Sequence, residues 1–229
     1  MRQETDVAIK VWDLPVRLFH WALVLLFVFQ LVSGKIGGDL MAWHAYSGYC
    51  VLVLVIFRIL WGFAGNTYAR FASFLAGPKA TLRYASRLWS REPVPHVGHN
   101  PLGGWMVIAM VASLALQATS GLFANDGLAF EGPPAALVTL DVSNILAQVH
   151  RWNLKVLLVL AGLHIAAVLF HWFVKRDNLT RAMFTGVKRF PEAAVPERSA
   201  PAPFAGKWRA LALLMVAVAS VYVVVRGPH

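Results

Sequence analysis

The sequence predicts an all-α integral membrane protein, a bundle of four transmembrane helices with a fifth, C-terminal transmembrane helix. Two observations carry that expectation. Hydrophobic residues make up 58% of the 229 positions and charged residues only 14%, with a mean hydropathy of +0.59, outside the usual composition of soluble domains. Five segments also approach the roughly 20 apolar residues that cross a bilayer: about 18–33, 43–63, 105–123, 149–174 and 208–225. Residues 1–190 are expected to form the four-helix domain, 191–206 a linker and 207–229 the last helix.

The elements follow in order. The N-terminus, MRQETDVAIKVWDLPVR, has no apolar core followed by a small-residue cleavage site, so no removable signal peptide is expected and the first span directs insertion. Between the second and third spans lies a basic stretch with Arg70, Lys79, Arg83, Arg87 and Arg91, in which 81–89 suits a short interfacial helix. Between the third and fourth, residues 125–143 carry Asp126, Glu131 and Asp141 and no Lys or Arg. Placing the N-terminus in the cytoplasm puts 16 of the 21 Lys and Arg on that side. The positive-inside rule therefore predicts an N-terminus in the cytoplasm and a C-terminus on the opposite side of the membrane. Trp12, Trp43, Trp61, Trp89, Trp105, Trp172 and Trp208 fall near span ends, as an aromatic belt requires.

The formal charge of +10 does not indicate a nucleic-acid partner, because the basic residues are spread over the connecting segments rather than along a stripe. The lone Cys50 excludes a disulfide framework, a CxxC metal site and covalent haem attachment through CxxCH. Before the last span, PEAAVPERSAPAP is too rich in Pro and Ala to bury a core. The last span itself holds no histidine and reads as a peripheral helix or a partner-contact anchor.

The histidines divide by position. His96, His99 and His229 read as solvated side chains, whereas His20, His44, His150, His164 and His171 lie in or beside the spans. On an α-helix the 14-residue step from His150 to His164 returns to nearly the same face, about 21 Å further along. With alternating span directions, His44 and His150 share the outer depth and His20 and His164 the inner one. Ionisable residues within spans are costly and mark functional sites. Two axial imidazoles suit iron and leave no open position for oxygen, which favours electron transfer. Zinc is disfavoured because neither level offers a third ligand. The expected cofactors are two non-covalent, bis-histidine b haems stacked across the bilayer.

Haem propionates need cationic partners. Arg58, 14 residues after His44, falls at the inner depth and is the prime candidate, with Arg17 a second one. Lys35, Arg151 and Lys155 could serve the outer haem. Gly48, one turn after His44, gives room for a flat macrocycle or for helix packing. His171, a heptad beyond His164, reaches toward the inner propionates, a quinone headgroup or the interface. A faint internal echo joins Val32-Ser33-Gly34 to Thr119-Ser120-Gly121, and the His44–Arg58 spacing to that of His150–His164.

VWDLPVRLFHW, AWHAYSGYCVLVLVIFRILWG and LAQVHRWNLKVLLVLAGLHIAAVLFHWFVKRDNLTRAM resemble the bacterial cytochrome b561 family, which includes the b-type cytochrome subunits of membrane-bound nickel-iron hydrogenases. The resemblance covers about residues 8–190. It implies a four-helix bundle holding two b haems and exchanging electrons between quinone and a redox partner, with ligand positions matching His20, His44, His150 and His164. The family often has a histidine pair where this chain has His171-Trp172.

The expected function is thus transmembrane electron transfer between the quinone pool and a periplasmic partner, such as a c-type cytochrome, a hydrogenase or another oxidoreductase. The acidic loop around Asp126, Glu131 and Asp141 could dock a basic cytochrome c. A homodimer is compatible with this reading. Two other readings stay open at the level of sequence: a self-contained superoxide:quinone oxidoreductase, and a haem-free transporter or structural membrane subunit.

Overall fold

The computed structural model describes residues 6–88, 96–125, 131–191 and 206–227. Most of the Pro- and Ala-rich linker, Trp89, Arg91, Asp126 and His229 lie outside them. Five helices are long and apolar enough to cross a membrane: α1 (Leu14–Ile36), α2 (Met41–Ala64), α5 (Pro101–Leu122), α6 (Leu140–Phe173) and α8 (Lys207–Arg226). Between α2 and α5 run α3 (Phe71–Phe74) and α4 (Pro78–Ser86), and after α6 comes α7 (Leu179–Thr185).

Helix starts are set by side-chain caps. Asp13 accepts from the Val16 amide at 2.9 Å, with Pro15 in the first turn of α1, and Asn100 accepts from the Gly103 amide at 2.7 Å before Pro101. Thr139 caps α6 through the Val142 amide. That cap begins α6 nine residues before the predicted span, because apolar counting alone misses the polar first turns around Asp141, Ser143 and Asn144. Gly37, at φ 68°, ends α1 in a conformation that disfavours side chains.

The helices form two hairpins, α1 with α2 and α5 with α6, joined through α2 and α5. Val51, Val55, Leu114 and Leu157 make their common core, packed by Leu23, Leu26 and Phe27 of α1. Helix α2 is the most enclosed of the five, since α8 covers its outer side through the buried Ala217 and Val221. The remaining helix faces expose Leu25, Phe63, Val159 and Tyr222. Apolar outer faces of this kind suit lipid rather than water.

One element escapes the sequence. Strands β1 (Asp6–Lys10) and β2 (Val187–Pro191) pair antiparallel, with Val7 opposite Phe190 and Ile9 opposite Lys188. This ribbon ties the two ends of the four-helix unit together at the end of the bundle where α1 starts. Lys188, buried, donates to Asp177 at 2.8 Å and to the His96 carbonyl at 3.2 Å, which fixes the 96–100 loop against the ribbon.

The aromatic-belt expectation is corrected at Trp61. Trp43, Trp105, Trp172 and Trp208 are exposed, but Trp61 is fully buried among Val16, Phe57, Ala69 and Ala217. Its indole N–H donates to Asp13 at 3.1 Å instead of to an interface.

Candidate functional site

The bundle brings four of the intramembrane histidines together in two pairs. The His44 and His150 rings have centroids 6.2 Å apart, and those of His20 and His164 are 6.4 Å apart. An imidazole nitrogen binds a metal at about 2.0–2.1 Å and lies roughly 1.1 Å from its ring centre, so imidazoles on opposite sides of one ion have centroids about 6.3 Å apart. Both pairs match that spacing. Among the described residues no cluster of three or more His, Cys, Asp or Glu forms a metal site, so each pair stands as a two-ligand arrangement. The His20–His164 pair lies at the ribbon end and the His44–His150 pair at the far end.

At the far end the imidazoles are held by their Nδ1 atoms. His150 Nδ1 lies 2.8 Å from the Gln117 carbonyl, which can only accept, so Nδ1 carries the proton. Ser33 Oγ donates to the Phe29 carbonyl at 2.7 Å and lies 3.1 Å from His44 Nδ1, so the hydroxyl accepts from that ring as well. Both Nε2 lone pairs are thereby left for a ligand, the tautomer that a metal-binding histidine requires. The supports are duplicated: Gln30-Leu31-Val32-Ser33-Gly34 and Gln117-Ala118-Thr119-Ser120-Gly121 share the pattern Q-x-x-S-G. Gln30 donates to the His44 carbonyl at 2.8 Å, while Gln117 accepts from Asn153 at 2.8 Å, and Asn153 accepts from Ser113. A Cβ added to Gly34 or to Gly121 would stand 2.9 Å from Cε1 of His44 or His150. The Ser-Gly echo is visible in the sequence, whereas the glutamine bonds and the ring contacts exist only in the fold.

The ribbon end is different in kind. Among the described residues, the buried side-chain atoms without a hydrogen-bond partner are His20 Nδ1, Trp21 Nε1, Arg58 Nη1, Asn66 Oδ1 and His99 Nδ1, all at this end. Such orphans are rare in native proteins and call for an occupant. Arg58 is only 4% exposed, its guanidinium 5.2 Å from the Phe71 ring centre. The nearby Asp13 carboxylate is taken by the Val16 amide and the Trp61 indole. A group with carboxylates and polar edges fits this set of donors, as a haem with its propionates does.

His99, expected from the sequence to be solvated, is buried instead. Its ring sits 4.7 Å from both Trp12 and Phe74. Burial, reinforced by Arg58, His164 and Lys188, pushes its pKa down to about 3, so the imidazole is neutral. His96 lies against Tyr84.

The other predicted residues divide as follows. Arg17 donates to the Met183 and Phe184 carbonyls, closing the end of α7 rather than facing the histidine pair. His171 Nδ1 donates to the Ala167 carbonyl at 2.9 Å and its Nε2 lies 3.2 Å from the Asn100 amide, which pins it to the start of α5. Gly48 sits against Gln30 at ordinary contact distance, the helix-packing role. Lys155 lies over the Trp152 ring, and Lys35 and Arg151 are exposed.

Fold and site together define a membrane-spanning helical bundle that presents two pairs of imidazoles, the far-end pair with its tautomers fixed, the arrangement of a membrane cytochrome. The profile of the prokaryotic cytochrome b561 family matches residues 11–186, and the chain belongs to that family. It is similar to proteins named probable Ni/Fe-hydrogenase B-type cytochrome subunit. The Azotobacter vinelandii protein is 24% identical over 225 residues, covering 84% of this chain and 92% of that protein. The Rhodobacter capsulatus protein is 24% identical over 229 residues, covering 84% and 85%. The Escherichia coli hydrogenase 1 subunit is 26% identical over 129 residues, covering 44% and 54%. No solved structure matches. The chain is a multi-pass membrane b-type cytochrome that transfers electrons, with haem b as its prosthetic group, and the haem-free readings fall away.

Proposed function

We propose that the chain carries electrons across the membrane between the quinone pool and a periplasmic redox partner, through two bis-histidine b haems. His20 and His164 bind the haem nearer the cytoplasm, and His44 and His150 the one nearer the periplasm. The observation that supports this most directly is the pair of centroid spacings, 6.2 and 6.4 Å.

Bound haem supplies a one-electron couple, and the protein supplies the rest. Ser33 and the Gln117 carbonyl orient the far-end imidazoles, and Gly34 and Gly121 leave their rings room against α1 and α5. Arg58 offers its unpartnered Nη1 to a propionate, whose charge offsets the cost of a buried guanidinium. Held by an imidazole from each side, such a haem would serve electron transfer rather than oxygen chemistry.

Quinone is the co-substrate on the membrane side. The short loops of the described chain make no catalytic domain, so the second reaction belongs to a partner. Relatives named as hydrogenase subunits make a Ni/Fe-hydrogenase one candidate, beside a c-type cytochrome or another periplasmic oxidoreductase. A pyridine haemochrome assay on the detergent-purified chain tests the reading. Two b haems per chain, with low-spin six-coordinate spectra, are expected; one or none contradicts it.

A further inference from the structure

Beside Arg58 the ribbon end holds a second buried, unpartnered nitrogen that no propionate contact yet accounts for, Nδ1 of His99. His99 lies outside the spans, in the loop fixed against the ribbon by Lys188. Its ring is clamped between Trp12 and Phe74, each 4.7 Å away. Phe74 in turn touches Phe71, the ring beneath the Arg58 guanidinium. Three segments distant in sequence thus converge to hold one imidazole a ring's width from the Phe71–Arg58 contact, and Arg58 and His164 both disfavour its charged form. Its Nδ1 is buried and has no partner, as has Arg58 Nη1. A purely structural histidine in this clamp would be better served by phenylalanine, which fills the same slot with no polar atom to satisfy.

We propose that His99 is a positioning residue of the ribbon-end haem, donating from Nδ1 to the carboxylate-bearing edge of the haem that Arg58 also faces. A neutral imidazole offers one N–H there without adding a second buried charge. Two donors on one edge fix the rotation of the macrocycle about the His20–His164 axis. They also draw negative charge away from the iron and hold the potential of that haem up, since hydrogen bonding and local charge are among the levers that set it. The inference rests on the haem assignment proposed above.

The test uses the full chain in detergent. His99→Phe keeps an aromatic ring against Trp12 and Phe74 and removes the donor, and His99→Gln keeps a donor. Each is assayed for haem content and then titrated to resolve both midpoint potentials, with Arg58→Gln marking which component belongs to the ribbon end. His99→Phe is expected to retain two haems and to lower the potential of the component that Arg58→Gln moves, leaving the other unchanged; His99→Gln restores most of that shift. Potentials that stay put in His99→Phe, or that move together, overturn the proposal. If His99→Phe loses haem, His99→Gln decides: retention with a near-native potential supports the donor, and loss overturns it. A wild-type chain without two haems would instead refute the underlying haem assignment, before any variant is read.

Discussion

Gly34 lies directly against the imidazole of His44: a Cβ on Gly34 would stand 2.9 Å from Cε1 of that ring, and Gly121 repeats the relation with His150 at the same 2.9 Å. Neither ring can retreat freely, because His44 Nδ1 is held by Ser33 and His150 Nδ1 by the Gln117 carbonyl. The glycines therefore set where the far-end imidazoles stand, and they do so from the helix that precedes each histidine.

Gly34→Ala should displace the His44 ring while improving the intrinsic helix propensity of α1 by about 1 kcal/mol. The helix gains and the site loses, so the effects separate. Haem retention at the far end should fall on the order of tenfold, the lower range seen for supporting-shell mutations, while the ribbon-end haem stays. Haem-to-protein ratio after dialysis against a haem acceptor measures it, and Gly121→Ala should act alike.

Ser33→Ala removes the acceptor for His44 Nδ1. A less basic imidazole stabilises ferric iron less, so the far-end potential should rise, with the other haem unmoved. Redox titration of the two components reads this. An unchanged pair of potentials would mean that Ser33 serves only α1, through its bond to Phe29.

Trp61→Phe addresses the fold rather than the haems. Trp61 is fully buried and donates to Asp13, the cap of α1. Removing the N–H leaves part of a buried carboxylate unsatisfied, at a cost of about 1–3 kcal/mol. Thermal unfolding in detergent should shift down while the haem spectra of the folded protein stay native.

Much of this architecture is legible in the chain. The five spans follow from apolar runs, and alternating direction with 14-residue spacing places His44 beside His150 and His20 beside His164, the same couples whose rings the structure brings within 6.4 Å. Arg58 is legible for the same reason, since it repeats the spacing of His164. What escapes is non-local. β1 and β2 are five residues each and pair across the length of the four-helix unit, with too short an alternation to mark either as a strand. His99 stands in a Pro- and Gly-containing loop that reads as solvated, and only the convergence of Trp12 and Phe74 buries it. Trp61 sits where a belt tryptophan would, but α8 returns over α2 and encloses it with Ala217. The Q-x-x-S-G duplication lies in plain sight, yet its meaning depends on which ring each glycine meets.

In the proposed assignment the four histidines form two ligand pairs, one at each end of the bundle. Substituting His20, His44, His150 and His164 one at a time by alanine, and recording which of two resolved b-haem components disappears, tests it most directly. His44→Ala and His150→Ala should remove one and the same component, and His20→Ala and His164→Ala the other. If His44→Ala and His20→Ala removed the same component, the pairing and the electron path built on it would be wrong.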